Sequence, residues 1–241
     1  FMIISIETST SDLSLTLLNT ESILSHISIP IMNELSEIIV PTIKTFLKDN
    51  LISFDDISFL AVGCGPGSFT GIHAIISTAL GITISKSHIK SIGINSLAGL
   101  AISALQEAKT LKVKYIISSI DSKKDDLFLQ LFKINYNKNV SLPIITISDI
   151  DMIKIEKLYN YFEINNLISK EVLFIGYQSN IAKNIIENIN VSENSTQHPD
   201  SLGVGKLSKL IISNKINLNN TSFAFNKFRP IYARSAQVNL K

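Results

Sequence analysis

The sequence is poor in cysteine, tryptophan and charge: one Cys, no Trp, and only 17% Asp, Glu, Lys and Arg in 241 residues. A lone Cys64 cannot form an internal disulfide, which points to a reducing compartment. The four histidines, His26, His73, His88 and His198, are never spaced for one helix face, so a paired-histidine metal motif is excluded. Long hydrophobic runs are missing too. The most apolar stretch, residues 71–84, carries His73, Ser77, Thr78 and Thr83 and is shorter than the roughly 20 residues that a membrane span needs. Residues 3–6 are too few for a signal peptide and Glu7 interrupts them; Met2 reads as the natural start, with Phe1 an addition ahead of it. The expectation is a soluble, cytoplasmic protein with no membrane contact. A net charge of +2 is too small to announce a nucleic-acid binder. The densest basic pair, Lys123 and Lys124, is followed at once by Asp125 and Asp126. Any contact with a nucleic acid is expected to need a partner that supplies the positive field.

What is present is apolar bulk, 45% of the chain and rich in isoleucine, which is ample for a core. Residues 2–7, 13–18 and 23–29 read as three strands, and a helix is expected from Asn33, a good N-cap, to Leu47. A strand at 59–64, a helix at 69–84, a strand at 91–94 and a helix at 96–108 follow. Then the order begins again. Strands are expected at 115–120, 127–134 and 140–147, a helical segment at 149–162, a strand at 172–175, and helices at 179–189 and 202–213. The first strand of each half ends in an acidic residue, Glu7 and Asp121. Two copies of a three-stranded meander followed by helix–strand crossovers predict an α/β protein of two tandem ribonuclease-H-like domains, the architecture of the actin, Hsp70 and sugar kinase superfamily. The division is placed at 1–108 and 109–241, with a C-terminal tail packing back on the first domain.

The most informative stretch is Val62-Gly63-Cys64-Gly65-Pro66-Gly67-Ser68-Phe69-Thr70-Gly71, at a strand-to-helix turn. Glycines there permit positive φ and close backbone approach, and a helix start offers free N–H groups to an anion. The plain alternative is a tight turn with no ligand. A Walker A loop is excluded because no lysine lies between Lys48 and Lys86. A dinucleotide fingerprint fails on Ser68 in place of the third glycine, and on the lack of any acidic residue between Asp56 and Glu107.

The segment Gly65-Pro66-Gly67-Ser68-Phe69-Thr70-Gly71 resembles the signature of the TsaB family. Matching segments recur in the right order: residues 4–10, the stretch from Leu35-Ser36-Glu37 to Pro41, residues 121–128, and Arg229-Pro230-Ile231-Tyr232-Ala233-Arg234. The chain departs from the family pattern at His73, where arginine is usual, at Ile75 and Leu80, and at Glu7 and Lys123. The resemblance implies a non-catalytic scaffold and dimerisation subunit of the machinery that makes N6-threonylcarbamoyladenosine in tRNA. It implies a TsaD-like transferase as partner, joined by a TsaE-like ATPase. Contact with tRNA would come through that complex, a homodimer would be possible when the chain is alone, and ATP and Mg²⁺ would be used by the complex.

The residues themselves argue against an intact nucleotide site. Glu7-Thr8-Ser9 and Asp121-Ser122-Lys123 stand where each half of a kinase or Hsp70-like site would carry a glycine-containing phosphate turn, and neither contains glycine. Glu7, Thr8, Ser9, Asp121 and Lys123 therefore read as a possible vestige of such a site, with no cofactor assigned to the chain itself. The alternative function is a stand-alone nucleotide-dependent kinase or ATPase of the same fold. The helix at 69–84 has no charged residue. Its bulky side, Ile72, Ile75, Ile76, Ala79 and Leu80, is expected to cover the sheet. The small side, Thr70, Ala74, Ser77, Thr78 and Gly81, either lies under more of the chain itself or meets a partner helix; the residues alone favour the former, and the resemblance implies the latter. The expected interface adds His73 from the same helix and Ile39, Ile43 and Phe46 from the preceding one.

Overall fold

A computed structural model of the chain describes residues 1–32, 34–137, 142–218 and 221–233. The first half runs β1 (Met2–Glu7), β2 (Asp12–Asn19), β3 (Ile23–Pro30), α1 (Leu35–Asp49), β4 (Phe59–Gly63), α2 (Phe69–Ser85), β5 (Lys90–Ile94), α3 (Ser96–Ser103) and α4 (Leu105–Thr110). The second half runs β6 (Tyr115–Asp121), β7 (Leu127–Ile134), β8 (Ile144–Thr146), β9 (Asp151–Ile153), α5 (Leu158–Ile164), β10 (Val172–Gly176), α6 (Ser179–Ile185) and β11 (Asn190–Val191). It closes with α7 (Ser201–Ser213) and β12 (Ala224–Phe225).

Two sheets result. The first has the order β12-β5-β4-β1-β2-β3 and the second β11-β10-β6-β7-β8, with β9 also pairing β7. In each, an antiparallel meander (β1–β2–β3, or β6–β7–β8) continues through parallel crossovers, β1 to β4 to β5 and β6 to β10 to β11. The protein is therefore a pair of ribonuclease-H-like halves in tandem.

One apolar core joins the halves. Ile3, Ala61 and Ile94 of the first sheet, Leu97 and Ala101 of α3, Val204 and Leu207 of α7, and Ile116, Phe132 and Leu173 of the second sheet belong to a single buried cluster. The helices α3 and α7 cross within it at close range because Gly99 and Gly203 face each other. A Cβ on Gly203 would lie 2.3 Å from the Gly99 carbonyl oxygen. Although α7 follows the whole second half in sequence, it packs on β1, β2, β4 and β5. The first residue of α7 is clasped by the meander: Ser5 Oγ donates to the Ser201 carbonyl (2.8 Å), the Ser201 N–H to Ser14 Oγ (2.9 Å), and the Thr16 and Ser201 hydroxyls share a bond of 2.7 Å. After it, β12 pairs antiparallel with β5, and the Ile231 N–H donates to the Cys64 carbonyl. Thus α7 and β12, both late in the sequence, build on the first sheet.

Several local expectations are corrected. The helix expected at 96–108 is two, α3 and α4, parted at Ala104. Asp151–Ile153, expected within a helical segment, is instead a strand paired with Leu127–Leu129; burial of Ile153 on the sheet outweighs helix formation, which is delayed to Leu158. The strand expected at 140–147 is confined to Ile144–Thr146; Pro143 just before it has no N–H to give a ladder, and Val140 lies outside the described residues. The helix expected to reach residue 189 ends at Ile185. Helix α1 begins at Leu35 behind Glu34, whose side chain makes no cap; Asn33, the expected cap, lies outside the described residues, as does Arg234 of the tail segment.

Candidate functional site: a filled cleft and an uncovered helix

The Gly-rich turn sits where β4 hands over to α2, beside the end of β1. Its glycines are consumed by packing against the first-strand turn. A Cβ on Gly67 would lie 2.3 Å from the Ser9 carbonyl oxygen, and one on Gly71 2.3 Å from that of Thr8. Three of the N–H groups around the turn are engaged: Ser68 N–H bonds to the Ser9 carbonyl (2.7 Å), Gly71 N–H to Ser68 Oγ (3.2 Å) and Gly65 N–H to Ser96 Oγ (3.1 Å). A phosphate needs such groups free, and these three are withdrawn from one.

Glu7 completes the closure. It is buried, and its Oε1 accepts from the Thr8 and Ser9 N–H groups (both 2.8 Å) while Oε2 accepts from Ser96 Oγ (2.7 Å). The Ser9 hydroxyl is buried close to this carboxylate without reaching hydrogen-bond geometry. Gly63 makes room for it, since a Cβ there would fall 1.9 Å from Glu7 Oε2. Burial raises the Glu7 carboxyl above its usual range, against the opposing hydrogen bonds from Ser96, Ser9 and Thr8. Thr8 Oγ1 donates to the Gly71 carbonyl (2.9 Å), pinning the turn to the start of α2.

The second-half counterpart is more open. Asp121 accepts from the Lys123 N–H (2.8 Å) and pairs with its ammonium (2.9 Å). Burial alone would raise its carboxyl, but the Lys123 side-chain and backbone hydrogen bonds outweigh this and hold it below the usual range. The structure thus gathers Glu7, Thr8 and Ser9 into one closed turn and joins Asp121 to Lys123. Each carboxylate is taken up by its own half. Cys64, at the end of β4, is buried, and burial pushes its thiol up to about 12, so it remains an unreactive packing group.

The helix that leaves this turn is only half covered. Ile72, Ile75, Ile76 and Ala79 go into the core with α1 and β4. On the other side Thr70, Ser77 and Gly81 are exposed, with Ala74, Thr78 and His73 half-buried; a Cβ on Gly81 would meet nothing within 4 Å. Leu80, expected on the covered side, is instead exposed, as are Phe69 (66%) and Ile84 (80%), so the open seam is more apolar than its small residues alone suggest. At its upper end, the His73 ring stacks at 4.0 Å on Phe69, with one nitrogen on the Phe69 carbonyl and the other 3.2 Å from the Tyr232 hydroxyl.

Ile39, Ile43 and Phe46 require a correction. All three point inward and are buried in the chain's own core, at 1%, 1% and 3% exposure. They form, with Leu35 and Leu47, the only apolar stripe that fastens α1 to the sheet, and that use of them leaves none for a partner. The exposed residues of α1 include Val40, Pro41 and the charged Glu37 and Lys44.

A second feature escaped the search for a basic stripe. Residues 201–241 contain Lys206, Lys209, Lys215, Lys227, Arg229, Arg234 and Lys241 and not one of the chain's 20 carboxylates. Comparing charge between segments, instead of looking for adjacent lysines, exposes it.

Comparison with known proteins follows the same lines. The model of a family described as "TsaD: tRNA N6-adenosine threonylcarbamoyltransferase" matches residues 29–239. The tRNA threonylcarbamoyladenosine biosynthesis protein TsaB of Buchnera aphidicola subsp. Acyrthosiphon pisum (strain APS) is 28% identical over 195 residues, which are 79% of this chain and 82% of that protein. The protein of the same name from Escherichia coli (strain K12) is 29% identical over 126 residues, 52% of each chain. Among solved structures, a Pseudomonas aeruginosa protein described as having similarity to peptidase YEAZ superimposes with a TM-score of 0.72 over 97% of this chain and 99% of its own; at 15% identity the likeness is one of fold.

Proposed function

The chain belongs to the TsaB (YeaZ) branch of the family matched across residues 29–239, and on that premise we propose that it is the scaffold subunit of the complex making N6-threonylcarbamoyladenosine in tRNA. Its role is to dock a TsaD-like transferase and does not include chemistry of its own. The observation that carries this reading is the pairing of a self-filled cleft with an uncharged, half-uncovered helix growing from the same turn. The turn withdraws the Gly65, Ser68 and Gly71 N–H groups from a triphosphate, which weighs against a stand-alone kinase or ATPase. The open seam Thr70–Ala74–Ser77–Gly81 gives a second helix room for close approach, toward the short end of the usual range of about 8–10 Å between axes.

The interface proposed is accordingly the outer face of α2, Thr70, His73, Ala74, Ser77, Thr78 and Gly81, extended by Leu80 and Ile84. A TsaE-like ATPase would join the pair, and the work of the complex lies in the cytoplasm. The test is co-expression with a TsaD-like partner, followed by capture and an assay of modified adenosine in tRNA. Product is expected only from the assembled complex, and none from the chain alone. ATP turnover by the isolated chain that survives repurification and is lost in Glu7→Ala would overturn the scaffold reading.

A further inference from the structure

We propose that the groove system around the C-terminal return, residues 214–218 and 221–229, is a docking surface for the phosphate backbone of RNA, so that this subunit touches the tRNA itself. The identification of the RNA as tRNA rests on the function proposed above; the groove and its chemistry do not.

Three open grooves meet there. One lies between β8 and the return, lined by Thr146, Lys215, Thr221 and Ser222. The next passes the starts of β4 and β5, lined by Phe59, Lys90, Ser91, Lys215 and Asn226. The third is formed by the return itself, with Thr221, Phe225, Asn226, Lys227 and Arg229. Lys215 is shared by the first two, Thr221 by the first and third, and Leu218 and Asn226 by the second and third, so the three grooves adjoin.

Their charge is one-sided. Lys90, Lys215, Lys227 and Arg229 line them, and no carboxylate does. Among the described residues, none of these four cations joins an ion pair. Elsewhere the chain is acidic: residues 1–200 hold 15 of its 22 cations and all 20 carboxylates. The small overall charge therefore conceals a segregated positive end. Two of the cations already rest on aromatic rings, Arg229 over Phe225 at 4.1 Å and Lys90 near Phe59 at 5.9 Å.

The form of the grooves selects the ligand. A single phosphate or nucleotide calls for cations gathered in one enclosed site, whereas these are distributed over three adjoining open grooves. That pattern fits an extended polyanion, whose charges repeat along its length and whose binding releases counterions. The Asn226 amide and the Phe59 and Phe225 rings that line the grooves beside the cations favour a nucleic acid over an acidic polypeptide.

The test uses the full chain, free and assembled with its TsaD-like partner, and an unmodified tRNA transcript titrated by fluorescence anisotropy at several salt concentrations. Lys215→Glu/Lys227→Glu is expected to assemble normally, to melt as the wild type does, and to bind tRNA about tenfold more weakly near 0.1 M salt. Its log–log salt slope should be shallower by about 2, one for each phosphate contact removed. The Gln double variant should move both quantities in the same direction, and Lys183→Glu, on α6, should move neither. Unchanged affinity and slope in the double variant would overturn the proposal. So would an equal loss in Lys183→Glu, or displacement of tRNA by polyglutamate as readily as by unlabelled tRNA. Should the TsaD-like partner fail to assemble with the wild type, the proposed function fails, while the free chain's binding of tRNA still decides the groove.

Discussion

At the residue scale, the proposed scaffold role rests most on Glu7. An acidic group at the end of the first strand faces the cleft in an enzyme of this architecture, where it needs water or a cation. Here it is withdrawn from solvent, held by two backbone N–H groups and the Ser96 hydroxyl, and backed by Gly63. Removing the carboxylate in Glu7→Ala strands those donors and is expected to cost on the order of 1–3 kcal/mol of stability, measured by denaturant unfolding. The pH dependence follows from the raised carboxyl. A folded value above the unfolded 4.5 means the group favours folding fully only below the unfolded value, and loses that contribution as pH rises through the folded one. Glu7→Gln, which cannot ionise, should therefore gain on the wild type as pH goes from about 5 to about 8. A Tm of Glu7→Gln that stays level or falls relative to that of the wild type over that range would contradict the burial argument.

At the scale of elements, α1 and α2 divide the labour. Each spends its bulky stripe on the sheet; only α2 has a second face with nothing charged on it. Truncating α1 at Ile43→Ala should cost about 2–5 kcal/mol of stability, because the side chain is buried among close-packed neighbours, and should leave partner affinity unchanged in the protein that remains folded. Ser77→Arg is the opposite case. Ser77 is exposed, so the free protein should melt within about 0.5 kcal/mol of the wild type. Against a partner helix the unpaired charge should cost about 2–5 kcal/mol of binding, read as loss of capture of the TsaD-like subunit. Capture left intact would place the interface elsewhere.

For the whole molecule, the important fact is that the halves share one core. In a hinged two-domain enzyme the cleft between halves must open. Here α3 and α7 fill the space between the sheets, and a buried bond between the Asn95 and Gln130 side chains (2.7 Å) joins β5's end to β7. Gly203→Ala would drive a methyl group into the Gly99 carbonyl and is expected to destabilise by about 1–3 kcal/mol. Because α7 lies on the first sheet and within the shared cluster, hydrogen exchange should quicken together in β2 and β7. Exchange that quickened in one half alone would show that the halves unfold separately.

The order of elements, the duplication and the special character of the Gly-rich turn were all legible in the sequence, because they rest on local signals: alternation, caps, glycines at strand ends and a motif with a specific resemblance. The absence of phosphate-turn glycines was equally legible and foreshadowed the filled cleft. The charge of residues 201–241 was legible too, though only by comparing segments. What the sequence could not decide was which apolar stripe faces inward. Ile39, Ile43 and Phe46 have the spacing of a seam whether the seam meets a partner or the chain's own sheet, and periodicity is blind to the difference. Nor could it show that α7 returns to the first half, that Asp151–Ile153 pairs as a strand, or that Lys90 joins Lys215 and Lys227 in adjoining grooves. Those outcomes depend on contacts between residues far apart in the chain, and only tertiary packing brings them together.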